Sequence, residues 1–76
     1  MDDFPSMKAR RLLAILMREP LNYRVVRQNG SHRTLRAPGR PRLLFAFHDR
    51  ELRPREVRHV LLKEVGLAES EALDLI

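Results

Sequence analysis

Apolar residues recur along the chain with two different periods, and the change of period marks its elements. Leu12, Leu13, Leu16 and Met17 follow i, i+1, i+4, i+5 spacing, widened by Ala9 and Ile15. That stripe is one face of an amphipathic helix, with Lys8, Arg11 and Arg18 off it. Ser6 is the expected N-cap, because its hydroxyl can accept an orphan amide of the first turn. Pro20 is expected to end the helix at or before Glu19.

After Pro20 the period shortens to two. Tyr23-Arg24-Val25-Val26-Arg27 is aromatic and β-branched, which suits a strand. Asn29-Gly30 is a strong hairpin signal, since both residues tolerate positive φ. Ser31 to Ala37 then reads as a second strand, and Pro38-Gly39-Arg40-Pro41 as the next turn. Leu43-Leu44-Phe45-Ala46-Phe47 is a continuous apolar run. It predicts a third strand of a meander, covered on both faces.

Pro54 fits the first turn of a second helix, where its missing N–H costs nothing. Val57, Val60, Leu61 and Val65 give i, i+3, i+4, i+8, and Gly66-Leu67 reads as the helix end. A last short helix is expected over Ala68 to Leu75, with Ser70 as a cap and Leu67, Leu73 and Ile76 apolar. The order is α-β-β-β-α with a short α after it, and no linker or repeat divides the chain. The expected class is α+β, a three-stranded antiparallel sheet with helices on one face. The other face is left open to solvent or to a ligand.

Seventy-six residues make one domain at most. Residues 1–6 are an expected lead and 68–76 a helical tail. A chain of this size buries about 60% of its unfolded surface, so a partner can add much of its stability. With 43% hydrophobic and 33% charged residues it is neither a disordered tail nor a membrane protein. There is no cysteine, which removes disulfide frameworks and thiolate zinc sites and permits a reducing cytoplasm. The start Met1-Asp2-Asp3-Phe4 is acidic where a signal peptide is basic. No apolar run approaches the roughly 18 residues of a membrane span.

Charge sharpens the picture. Fifteen Lys and Arg against ten Asp and Glu give +5, and all but Lys8 and Lys63 of the bases are Arg. Guanidinium forks match phosphate bidentately, which an ammonium does not. Residues 20–48 hold Arg24, Arg27, Arg33, Arg36, Arg40 and Arg42 and no acid, whereas residues 59–76 are net acidic. A basic middle with an acidic tail fits a polyanion at one face. The plainer alternative is an arginine-rich solvated surface.

Three histidines are the candidate chemistry: His32, His48 and His59. No metal-ligand spacing such as HExxH is present, so neither metal nor cofactor is expected. Ser31 and His32 are adjacent and point to opposite faces of a strand, which argues against a nucleophile–base pair. His32, Thr34 and Arg36 share one face; Arg33 and Leu35 share the other. If Leu35 faces the helices, His32 and Arg36 face the open side. Imidazole moves protons at neutral pH. Beside arginines, the substrate that fits is a phosphodiester. Metal-free RNA cleavage needs a base for the 2′-OH, an acid for the leaving 5′ oxygen and cations for the phosphorane charge. His32 is the candidate acid or base, with Arg27, Arg33 and Arg36 as candidate cations. His48, at the end of the third strand, is expected near the same edge of the sheet. The plainer alternatives are a polar residue beside a turn for His32, a connector residue for His48 and a solvated helix residue for His59.

Tyr23-x-x-x-Arg27-Gln28-Asn29-Gly30-Ser31-His32 with Leu35 resembles the HicA toxins of bacterial toxin–antitoxin pairs. Met7-Lys8 with Leu12, Leu13 and Leu16 is similar to that family's first helix. Phe47-His48 and Val57-Arg58-x-x-Leu61-x-x-x-Val65-Gly66-Leu67 are similar to its end. The likeness spans about residues 7–75. Pro20-Leu21-Asn22-Tyr23 departs from the family's Gly-aromatic before the first strand, and Phe47 stands where Pro is frequent. The resemblance implies a fold like a double-stranded RNA-binding domain. It implies a metal-independent and translation-independent endoribonuclease acting on messenger RNA in the cytoplasm, with His32 catalytic. The expected RNA contacts are Arg27, Ser31, Arg33 and Arg36, with His48 auxiliary. The implied partner is a HicB-type antitoxin, in a hetero-oligomer that covers the histidine. The competing expectation is a non-catalytic RNA- or DNA-binding module of the same fold, with His32 as a contact residue.

Overall fold

The computed structural model describes residues 3–76. Met1 and Asp2 of the acidic start lie outside the described residues. The chain runs β1 (Met7–Lys8), α1 (Ala9–Met17), β2 (Arg24–Asn29), β3 (His32–Arg36), β4 (Leu43–Phe45), β5 (Glu51–Leu52), α2 (Pro54–Arg58) and α3 (Glu69–Leu75). Between α2 and α3 the helix continues as a π-helical stretch, His59–Glu64. The order β2-β3-β4 makes a three-stranded antiparallel sheet, and β1 pairs separately with β5. This is the α+β, α-β-β-β-α arrangement similar to a double-stranded RNA-binding domain, with its helices on one face of the sheet.

The first helix starts later than expected. Ser6 is not its cap, because Met7 and Lys8 are extended and pair with Leu52 and Glu51. The N–H of Ala9 donates to the Arg50 carbonyl at 2.8 Å, so a backbone group from a distant segment replaces the side-chain cap. The helix ends at Met17, before Pro20 as expected. Its stripe buries Ala9, Leu12, Ile15 and Leu16, while Met17 is exposed. Leu21 and Tyr23 then turn inward, and Tyr23 N–H donates to the Leu16 carbonyl at 2.9 Å.

The hairpin loop is Gly30-Ser31 rather than Asn29-Gly30. Asn29 still pairs with His32 in the ladder. Positive φ falls on Gly30 at 64° and on neither neighbour, the pattern of a turn with glycine at its first loop position. The β3–β4 turn follows Pro38-Gly39: Arg40 N–H donates to the Ala37 carbonyl at 3.2 Å, with Gly39 at φ 72°. Proline then glycine at these positions is the type II turn signature.

The third strand is shorter than predicted and ends at Phe45. It is covered on one face only. Leu43 and Phe45 are buried, but Leu44 between them is 60% exposed. With only three strands and all helices on one side, nothing remains to cover the second face. The core thus lies between sheet and helices. Leu35, Leu43 and Phe45 meet Leu12 and Leu16 of α1 and Val57, Val60 and Leu61 of the second helical segment in one cluster that includes Phe4.

The second helix keeps its predicted start at Pro54, and Val57, Val60, Leu61 and Val65 are all buried. Its π-helical part has no sequence signal. It shows in the bond from Val65 N–H to the Val60 carbonyl, 2.9 Å; the bond from Leu67 N–H to the Leu61 carbonyl, 3.0 Å, spans six residues and closes the helix end around Gly66. Ser70 is not the cap of α3. Ala68 precedes the helix, and its N–H donates to the Glu71 carboxylate at 2.9 Å. Leu67 is buried, and Leu73 and Ile76 pack partly against the core.

Candidate functional site

Cross-strand partners in an antiparallel sheet share a face. Leu35 pairs with Val25 and Leu43, and Leu35 and Leu43 are buried, so that set is the helix side. The alternate set is the open side: Arg24 with Arg36, Arg27 with Thr34, Thr34 with Leu44, and Asn29 with His32. A β-bulge between Val25 and Arg27 decides one of these positions. In a regular strand Arg27 would share the face of Val25. The extra residue, Val26, shifts the phase and turns Arg27 to the side of His32, the kind of re-aiming bulges perform. Val26 itself is 55% exposed.

The open face therefore carries His32 at one end, Arg27 and Thr34 in the middle and Arg24 with Arg36 at the other end. His32, Arg27, Arg24 and Arg36 are all exposed. None of these three arginines forms a salt bridge among the described residues. The ion pairs lie elsewhere: Arg10 with Asp49 at 3.8 Å, Arg50 with Glu56 at 2.8 Å, Arg58 with Glu69 at 3.3 Å and His59 with Glu64 at 3.6 Å. Acids thus pair off the helical side and leave the sheet's open face uncompensated.

The other expected site residues separate from His32. Ser31, Arg33 and His48 line a cleft of about 270 Å³ with Arg10, Phe45 and Asp49, between α1 and the hairpin end of the sheet. His48 reaches the same end of the sheet as His32, as expected. It does so from the loop beyond β4, and the cleft it lines lies on the helix side. Phe47 stands edge-on to Phe45, with centroids 5.2 Å apart, and the Arg50 guanidinium sits 5.5 Å from its ring centre. His59 is exposed on the helix, as expected.

Two arginines were missed by sequence reasoning. Arg24 is the cross-strand partner of Arg36. Arg40, on the Pro38-Gly39 turn, lines a groove with Arg24, Val26 and Arg36. Two-residue alternation from Arg36 would have found Arg24 once the register was known. Nothing local marks Arg40. Its turn is anchored by Tyr23, whose hydroxyl donates to the Pro41 carbonyl at 2.7 Å. Burial pushes the Tyr23 hydroxyl pKa up, with the nearby Arg40 charge pulling it the other way. Among the described residues no three His, Asp or Glu side chains gather as metal ligands would.

Fold and site together define a small basic α+β protein that exposes a histidine and unpaired arginines on one sheet face. A family model described as "HicA toxin of bacterial toxin-antitoxin" matches residues 9–67. That is more than half of the chain, and the chain belongs to this family. Its role is accordingly that of the toxin in a toxin–antitoxin system, with an antitoxin as partner. No curated protein and no solved structure matches the chain. No helix among the described residues is long and apolar enough to cross a membrane.

Proposed function

We propose that this toxin is a metal-independent, translation-independent endoribonuclease that cuts messenger RNA in the cytoplasm, with His32 as its proton-transfer group. The observation that supports it most is the company of His32 on the open face: Arg27 and Arg36, no acid, and no ion pair to occupy either guanidinium. In the reaction the 2′-OH loses its proton to a base and its oxygen attacks the adjacent phosphorus. The bond from phosphorus to the 5′ oxygen breaks, and that oxygen takes up a proton. The products are a 2′,3′-cyclic phosphate and a 5′-OH end. His32 is exposed, so an RNA strand can reach its imidazole without the fold opening. Arg27 and Arg36 neutralise phosphates, and a guanidinium beside the phosphorane stabilises its added charge.

Ser31 and Arg33 contact RNA where it passes the hairpin tip towards the helix-side cleft. His48, at the same end of the sheet, is the candidate for the second proton-transfer group. A HicB-type antitoxin silences the toxin by covering the open face, where Val26 and Leu44 offer apolar surface beside the arginines.

The test is expression of the chain alone, with and without His32→Ala, followed by incubation of the purified protein with RNA in EDTA. The expected results are growth arrest lifted by the alanine variant, and cleavage in EDTA that leaves cyclic phosphate ends. Equal toxicity of both chains, or cleavage that EDTA abolishes, overturns the reading. Steep salt-dependent RNA binding with the RNA left intact would instead indicate the binding module.

A further inference from the structure

We infer that the groove beside the Pro38-Gly39 turn is a second anion site on the open face, where Arg24, Arg36 and Arg40 hold a phosphate of single-stranded RNA away from the one at His32. The choice of RNA rests on the ribonuclease reading; the groove's own features do not depend on it.

Arg24 and Arg36 stand directly opposite each other on β2 and β3. Like charges in that position destabilise a sheet. Arg40 adds a third guanidinium to the same groove, of about 680 Å³, beside Val26, Gly39 and Pro41. None of the three is in a salt bridge among the described residues, although Arg10, Arg50 and Arg58 all are. A bound phosphate relieves this repulsion, and guanidinium forks suit its oxygens. The cluster is also held in place. The Ala37–Arg40 turn bond closes the loop, and the Tyr23 hydroxyl ties Pro41 to the base of β2.

Position selects the ligand. Arg36 lies four residues from His32 on the same strand and face, about 13 Å away. That exceeds one extended nucleotide step, so a phosphate in the groove belongs to a different nucleotide from the one at His32. Thr34 and its partner Arg27 lie between them. A polynucleotide supplies anions at regular intervals along such a line. An acidic peptide is the competing occupant, but its carboxylate offers fewer oxygens to three guanidinium groups than a phosphate does.

The experiment measures binding of labelled single-stranded RNA to the full chain carrying His32→Ala, across a range of salt. Adding Arg24→Gln and Arg40→Gln is expected to weaken binding about tenfold. The slope of log affinity on log salt should fall by about 0.7, as the loss of one neutralised phosphate requires. Removing the repulsion should leave the melting temperature unchanged or higher, which separates lost binding from lost folding. Unchanged affinity and slope overturn the inference. So does unchanged RNA binding accompanied by weaker binding of polyglutamate, which assigns the groove to an acidic peptide. If the wild-type chain fails to cut RNA but the glutamine variants still bind it more weakly, the ribonuclease reading falls and the groove stands.

Discussion

Asn29 and His32 face each other as cross-strand partners at the end of the β2–β3 hairpin, with only Gly30 and Ser31 between them. The placement of His32 therefore depends on a two-residue loop. Gly30 takes φ 64°, and apart from its own residue and its two chain neighbours no atom lies within 4 Å of where its Cβ would be. Gly30→Ala thus costs conformation alone, roughly 1–2 kcal/mol. A thermal melt should show a fall of several degrees. An unchanged melting temperature would mean that the turn tolerates a side chain and does not constrain His32.

Tyr23 joins the core to the groove turn. Its ring is buried and its hydroxyl donates to the Pro41 carbonyl. Tyr23→Phe is expected to lower stability by about 1 kcal/mol. The hydroxyl pKa is raised in the fold by burial. The unfolded chain therefore gives up this proton first, and the stability it contributes is lost as pH rises past 10. The phenylalanine variant should lose less stability than wild type over that alkaline range. Parallel alkaline melting curves for the two proteins would refute the assignment.

Glu56 accepts three bonds, two of them from the Arg50 guanidinium. The Arg50 guanidinium lies 2.8 Å from its carboxylate, and the Arg53 backbone N–H donates to it at 2.9 Å. Arg50 first, then Arg53, hold its pKa at about 2 against an ordinary 4.5. In the unfolded chain this carboxyl is protonated near 4.5, but in the fold not until about 2. Its contribution is full above the unfolded value and is lost as pH falls between the two. Glu56→Gln should melt a few degrees below wild type at neutral pH, and the gap should close towards pH 2. A gap of the same size at both ends of that range would contradict the ion pair's role.

Arg27 tests the bulge. Its side chain is exposed and unpaired among the described residues, so Arg27→Ala should change stability by no more than about 0.5 kcal/mol. RNA binding by the His32→Ala chain should weaken on adding it, with a salt slope smaller by about 0.7. A large stability loss with unaltered RNA binding would put Arg27 on the core side instead.

Periodicity alone missed β1, β5 and the exposure of Met17. It was enough for the order of the helices and the three sheet strands, for the buried stripe of the second helix and most of that of α1, and for the side of the sheet that Leu35 occupies. These follow from local geometry, since a helix or strand repeats its facing residues at a set interval. The acid-free stretch from Pro20 to His48 likewise marked the segment that supplies the open face with its arginines. The start of α1 was not legible, because Met7 and Lys8 answer to Glu51 and Leu52, more than forty positions away, and the Arg50 carbonyl takes the place of the Ser6 cap. Nor was the exposure of Leu44, since a run of apolar residues does not say whether a second layer exists to cover it.

The local pattern of residues determined that His32 and Arg36 share one face. Only the tertiary structure decided that Arg27 joins them, that Arg33 and Ser31 meet His48 in a cleft on the helix side, and that Arg40 completes a groove with Arg24 and Arg36. The reason is register. A single bulged residue reverses which side chains look outwards, and that choice is made by pairing between strands and not by either strand alone.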